Sequence, residues 1–197
     1  MNYKSKKCIH HINSLYREGS DALSKAKEIC AELRRTASLD LEIRNARSED
    51  RASHGILGEY REDETLAGIV TDEAKRYTQK ENILLSDLVG VINSYSRVLS
   101  LIPNWANELD QIEERSDTLH TISGFIEYMM DGFQSIQTQA REEEKRFNYY
   151  ASGLETYDAI ERVQAFAEEY ECRFDELYED HVSADIETWL NQARIDS

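Results

Sequence analysis

The sequence predicts an all-α fold: an elongated antiparallel helical bundle or coiled coil of three to five long helices. Three observations predict it. Apolar residues recur at alternating intervals of three and four over most of the chain, the period that keeps one stripe of a helix against a neighbour. Among 197 residues there are only 8 glycines and 1 proline, too few for the frequent reversals of a sandwich or barrel. Glu, Lys, Ala, Leu, Arg and Gln are abundant, and these residues lose least on entering a helix. The length suits one helical-bundle domain, 1–197, with a real core.

The first helix is expected over about 4–50. Its stripe is Ile9, Ile12, Tyr16, Gly19, Leu23, Ala26, Cys30, Leu33 and Ala37, an unbroken heptad seam. Cys30 on this stripe reads as a small buried hydrophobe, and the small residues at 19, 26 and 37 let a neighbouring helix approach closely. Continuing the seam requires Asp40 and Arg44, so the register is expected to break there. "NARSEDRASHGILGEY", with Gly55 and Gly58, then reads as the first connection.

A second helix is expected over about 60–102. It carries Val70, Ala74, Tyr77, Glu81, Leu84, Leu88, Val91, Tyr95, Val98 and Ile102, with Glu81 the one polar exception. Leu85, Val89, Ile92 and Leu99 add a second apolar flank, which implies burial against two neighbours. Pro103 follows. Proline inside a helix removes a hydrogen bond and clashes with the preceding turn, costing roughly 3 kcal/mol, and it pushes the residue before it toward extended geometry. A tight reversal at Pro103 is therefore favoured over a kink, with Asn104 as N-cap of the next helix.

The third helix is expected over about 104–150, on Trp105, Leu109, Ile112, Leu119, Ile126, Met130, Phe133 and Ala140, with Ser116 and Ser123 in the seam. Ser152 and Gly153 mark a break. A fourth helix, 155–181, uses Tyr157, Ile160, Phe166, Tyr170, Phe174 and Leu177. Ser183 then reads as the N-cap of a short terminal helix, 184–195, carrying Ile186 and Leu190.

Charge narrows the function. The net charge is −16, but residues 1–51 carry 11 Lys/Arg against 8 Asp/Glu while residues 104–197 carry 7 against 23. A chain this acidic is a poor nucleic-acid binder, because phosphate contacts supply most of that affinity. The asymmetry fits a basic third lying along the acidic remainder, an acidic part meeting a basic partner, or simply the well-solvated surface of a soluble helical protein. No run approaches the roughly 20 apolar residues of a membrane span, so membrane contact is at most peripheral. The start has positive charge without an apolar run behind it, unlike a signal peptide. Cys8, Cys30 and Cys172 are odd in number and scattered, forming neither a disulfide framework nor a metal knuckle. An intracellular, cytoplasmic location fits this cysteine usage.

Catalytic constellations are not in evidence. A di-iron carboxylate bundle needs Glu-x-x-His pairs; the nearest approach is Asp117 with His120, best explained as a helix-surface pair. His10 and His11 are adjacent, so they point to different sides of a helix. "REEEKR" at 141–146 is a solvated stripe in which Glu142 pairs with Arg146 one turn on. No phosphate-binding loop, dinucleotide fingerprint or nucleophile elbow occurs. The expectation is a protein that is not an enzyme, with no cofactor and no metal. Of 11 tyrosines, Tyr16, Tyr77, Tyr95, Tyr157 and Tyr170 sit on or beside the seams, where a ring is buried and its hydroxyl kept wet. Trp105, Tyr178 and Trp189 are candidates for a partner-binding surface.

Two stretches resemble a known family. "SLYREGSDALSKAKEICAELRR" is similar to the opening helix of the fungal autophagy-initiation scaffold, whose larger animal counterpart carries a related domain. Ala22, Leu23, Ala26, Ile29, Cys30 and Leu33 fit its order. "FDELYEDHVSADIETWL" resembles the family's closing segment through Phe174, Tyr178, His181, Val182, Asp185, Ile186 and Leu190, although Ser183 or Ala184 stands where that turn usually has a proline. Family members are considerably longer, so the resemblance implies a shortened middle. It further implies an elongated, curved bundle that dimerises through its C-terminal part, binds autophagy-initiating kinase subunits and helps gather vesicles.

Sequence and resemblance together imply a non-enzymatic scaffold or adaptor, a subunit of a homo- or hetero-oligomer with other proteins. Candidate partner or self-association residues are Trp105, Phe174, Leu177, Tyr178, Ile186, Trp189 and Leu190. A subunit of another coiled-coil complex, such as a vesicle tether or kinetochore assembly, is the alternative. A helical metal-binding protein or enzyme is the second.

Overall fold

In a computed structural model the chain forms four helices: α1 Tyr3–Gly55, α2 Glu64–Ile112, α3 Ser116–Ala151 and α4 Thr156–Ser183. The structure describes residues 3–55, 64–112, 116–151 and 156–183, with Ile186 and Thr188. Every described element is helical. By contacts the chain divides into two compact units, each drawing one segment from all four helices. Unit 1 comprises Met1–Lys27, Val89–Gln139 and Cys172–Ser197; unit 2 comprises Glu28–Leu88 and Ala140–Glu171.

The first seam forms the α1 core. All nine residues from Ile9 to Ala37 on the 3–4 stripe are buried. The expected register break after Ala37 does not occur. α1 runs on to Gly55, and Asp40 continues the seam at 0% exposure with Arg44 bonded to it from the next turn. A carboxylate holds a core position when a guanidinium satisfies it, which a count of apolar residues does not register.

The reversal expected at Pro103 is also corrected. α2 passes through Pro103 and ends at Ile112. Ile102, Ala106 and Leu109 are buried around the proline, and they join a core cluster with Cys8, Ile9, Ile12, Val98, Ile122 and Ile126. Burying those side chains continuously outweighs one lost backbone bond: each large aliphatic group is worth about 1.5–3 kcal/mol against roughly 3 for the proline. Trp105, Leu109 and Ile112 thus belong to α2, and α3 starts only at Ser116.

Within α3 the buried stripe is Ile122, Ile126, Met129, Phe133, Ile136, Ala140 and Phe147. Met130, expected on that stripe, is 47% exposed, and Ser123 is exposed. Along α2, Leu85 and Ile92 from the expected flank are buried, while Leu84 and Val91 from the expected seam are half-buried. α4 buries Ile160, Phe166, Tyr170 and Phe174, and leaves Tyr157 exposed. The expected breaks around Gly58 and at Ser152–Gly153 lie outside the described residues. So does most of the expected terminal helix, where Ile186 is buried at 0%.

Contact order gives helix direction inside each unit. In unit 1, Glu18 meets Arg97 while His11 stacks on Trp105, so α1 and α2 run oppositely there. Tyr16 reaches His181 while Lys27 pairs with Asp175, which sets α4 opposite α1. In unit 2, Arg34 pairs with Glu171, Gln164 bonds Ser38 and Tyr157 bonds Asn45, giving the same opposition.

Candidate functional site

Each unit buries ionisable side chains among helix contacts, and these are the chemically distinctive places in the chain. In unit 1 the group is His181, near the end of α4 and 0% exposed. Its ring stacks on Tyr16, with centroids 4.5 Å apart and planes 8° from parallel. Nε2 lies 3.0 Å from the Tyr16 carbonyl oxygen. A carbonyl only accepts, so Nε2 carries the hydrogen and donates. Nδ1 is then the acceptor, and the Tyr95 hydroxyl donates to it at 3.2 Å. Tyr16 returns the contact by donating its own hydroxyl to the His181 carbonyl at 2.6 Å. Phe125 and Tyr95 enclose the ring further, at centroid distances of 5.7 and 5.8 Å.

The slot exists because α1 has Gly19 there. A Cβ at this position would stand 3.0 Å from His181 Cε1 and 3.2 Å from Tyr95 Cε2, closer than side chains pack. Burial holds the His181 imidazole below its usual value, against the upward pull of its bond to Tyr16. The ring is therefore neutral and has both nitrogens satisfied. Tyr95, 1% exposed, has its hydroxyl pushed up by burial and by Tyr16. The expectation of wet tyrosine hydroxyls fails for this pair, since Tyr16 and Tyr95 spend theirs on His181.

In unit 2 the buried carboxyls among the described residues are Asp40 on α1 and Glu81 on α2, both 0% exposed. Arg44 reaches Asp40 with Nε at 2.9 Å and with a second nitrogen at 3.5 Å. Thr78 lies 3.3 Å from the same carboxylate and 3.0 Å from the Ala74 carbonyl one turn back, with one hydroxyl hydrogen to share between them. Glu81 is different: among the described residues, neither of its carboxyl oxygens has a hydrogen-bond partner. Burial pushes its carboxyl up to about 8, with a further push from the negative Asp40 and an opposing pull from Arg44. Burial also raises Asp40, against its bonds to Arg44 and Thr78. Among the described residues the layer thus holds two carboxyls and one guanidinium, and these are together neutral when one carboxyl keeps a proton. A neutral unpartnered carboxyl in an apolar setting costs on the order of 1–3 kcal/mol, and an ionised one costs far more.

Comparison of the chain with protein-family models, with curated proteins and with solved structures gives no match. What the chain does must be argued from its own residues. Among the described residues, no group of three or more His, Cys, Asp or Glu side chains is placed to hold a metal ion. No described helix is long and apolar enough to cross a membrane. Burial raises the Cys30 thiol to about 12, which keeps it protonated and unreactive.

The residues expected to meet partners are distributed unevenly. Trp105 is half-buried and stacked on His11, with centroids 4.1 Å apart and planes at 16°. Leu177 and Tyr178 are half-buried, and Lys27 lies 6.0 Å from the Tyr178 ring centroid. Phe174 and Ile186, each 0% exposed, are core residues of this chain and present no surface in this arrangement. Trp189 and Leu190 lie outside the described residues, as do the side chains of Asp117 and His120. Glu142 does reach Arg146, at 3.9 Å, but Glu143 makes the closer pair at 3.0 Å.

The two buried layers left only faint marks in the sequence. Glu81 interrupting a stripe of apolar residues was the available signal, as was the pair Asp40 and Arg44 falling on that period. Nothing local marked His181 as buried, because its partners come from residues 16 and 95 on other helices.

Proposed function

We propose that the chain is a non-enzymatic helical scaffold, an elongated antiparallel bundle that holds protein partners in a larger assembly. One observation carries this reading: the distinctive chemistry points inward and the solvated face is acidic. His181 and Asp40 spend their polar atoms on bonds inside the helix packing. The exposed side of α4 carries Glu161, Glu168, Glu169, Glu176 and Glu179. Rigid helices with such faces hold binding sites at fixed separations, and a charged face suits a partner of opposite sign. Self-association through the C-terminal residues Trp189 and Leu190 doubles the sites and raises avidity. The resemblance of 14–35 and 174–190 to the autophagy-initiation scaffold makes that complex, in the cytoplasm, the first assembly to test.

Light scattering across a concentration series, on the full chain and on Trp189→Asp, tests the proposal. The expected result is a mass above one chain that drops to a single chain in the variant. A single-chain mass for both, together with no partner retained when the chain is used as bait, removes the scaffold reading. Baits of autophagy-initiating kinase subunits decide the narrower assignment, and a stoichiometric transition metal in the purified protein would favour the metalloprotein alternative instead.

A further inference from the structure

Within unit 2, α1 and α2 meet at a layer whose charges do not balance unless a proton is present. Asp40 and Glu81 are both fully buried, and the negative Asp40 disfavours a second negative charge on Glu81. Among the described residues one guanidinium, Arg44, serves the layer, and its Nε is committed to Asp40. Thr78 bonds Asp40 as well, and both oxygens of Glu81 are left without a partner among the described residues. Among the described residues, several other charged groups of this unit pair elsewhere. Lys80 holds Glu32, Arg34 holds Glu171, and Arg146 and Arg162 hold Glu143 from α3 and α4. Among the described residues, the charges that act on Glu81 are Asp40 and Arg44, both from α1.

We propose that Asp40, Arg44 and Glu81 form a proton-operated latch between α1 and α2. With one proton on the Glu81 carboxyl the layer is neutral and closed. When that proton leaves to solvent, a buried negative charge has no counter-charge among the described residues, and the two helices separate locally so that water reaches it. The latch is closed at mildly acid and neutral pH and loosens as pH rises, over a range reaching about 8. It adds to the scaffold reading a means of releasing one segment of the bundle without touching unit 1.

Hydrogen exchange on the wild-type full chain between pH 6.5 and 8.0 reads the latch directly, after correction for the intrinsic pH dependence of exchange. Because opening releases one proton, protection of amides in 36–48 and 74–88 is expected to fall about tenfold per pH unit. Protection of amides in 9–23 and 92–102 is expected to hold. Glu81→Gln keeps the shape of the protonated carboxyl and cannot ionise, so it is expected to abolish the slope. No slope in the wild type at those amides overturns the proposal. So does an equal slope in both units, or a slope that survives Glu81→Gln. Should that variant fail to fold, the wild-type exchange pattern alone still decides.

Discussion

His181 in unit 1 and Glu81 in unit 2 are equally buried, yet only one has its polar atoms matched. The imidazole gives a hydrogen to Tyr16, takes one from Tyr95 and stacks on a ring. The carboxyl of Glu81 meets nothing among the described residues that bonds to it. The difference sets opposite responses to pH. The folded His181 value lies below the ordinary 6.5, so below that pH the unfolded chain takes up a proton the folded chain refuses. Unit 1 therefore loses stability as pH falls from 6.5 toward the lowered value. The folded Glu81 value lies near 8 against an ordinary 4.5, so between them the folded chain holds a proton the unfolded chain has lost. Unit 2 loses stability as pH rises through that window, and Asp40 adds in the same direction. A satisfied polar core is acid-sensitive here, and an unsatisfied one is alkali-sensitive.

The strongest way to break this contrast is to remove the guanidinium from the Asp40–Glu81 layer. Among the described residues, Arg44→Met leaves Asp40 with Thr78 alone and takes from both carboxyls the cation that acts on them. Removing one partner of a buried pair costs about 3–5 kcal/mol. Urea denaturation at pH 8 is expected to show that loss, and at pH 5 a smaller one, because protonation relieves the carboxyls. Equal losses at both pH values would mean that the layer is not balanced by charge.

The next largest effect belongs to unit 1. His181→Ala empties a slot and strips partners from the Tyr95 hydroxyl and the Tyr16 carbonyl at once. A cavity and lost hydrogen bonds together predict about 3 kcal/mol of destabilisation at pH 7. Urea denaturation repeated at pH 5 is expected to show a smaller gap between variant and wild type, since the wild type has by then lost what neutral His181 contributes. A gap that widens on acidification would reverse the assignment of a neutral, bonded imidazole.

These two layers also show where the sequence was informative. The helical class and the α1 seam were readable because apolar burial has a period, and all of Ile9 to Ala37 obeys it. The Pro103 reversal was misread because a local rule about proline competes with burial on both sides, of Ile102 and of Ala106 and Leu109. Burial of those residues prevailed. On α3 the expected Ile126, Phe133 and Ala140 are buried, but Ile122 and Met129 take the places expected of Ser123 and Met130. Asp40 looked like a break because a count of apolar residues overlooks its i,i+4 partner Arg44, and residue spacing carries no record of its contact with Thr78 on another helix. His181 could not be placed at all. Its position depends on a glycine far back in the sequence, at 19, a juxtaposition that exists only after folding.

That glycine supplies the smallest and sharpest test of how tightly unit 1 is built. Alanine in place of a helical glycine stabilises by about 1 kcal/mol wherever there is room. Gly90 and Gly124 have nothing within 4 Å of an added Cβ, so Gly90→Ala and Gly124→Ala should each raise the urea midpoint by that increment. Gly19→Ala gains the same propensity, but its methyl meets His181 Cε1 at 3.0 Å and Tyr95 Cε2 at 3.2 Å. The imidazole cannot retreat, because it is stacked on one face and bonded at both nitrogens. Overpacking of this kind costs roughly 1–3 kcal/mol, so the net change at position 19 is a loss despite the better helix former. If Gly19→Ala stabilises the chain as Gly90→Ala does, the ring has slack. In that case the seat of His181, and with it the contrast to Glu81, is looser than the bonds around it imply.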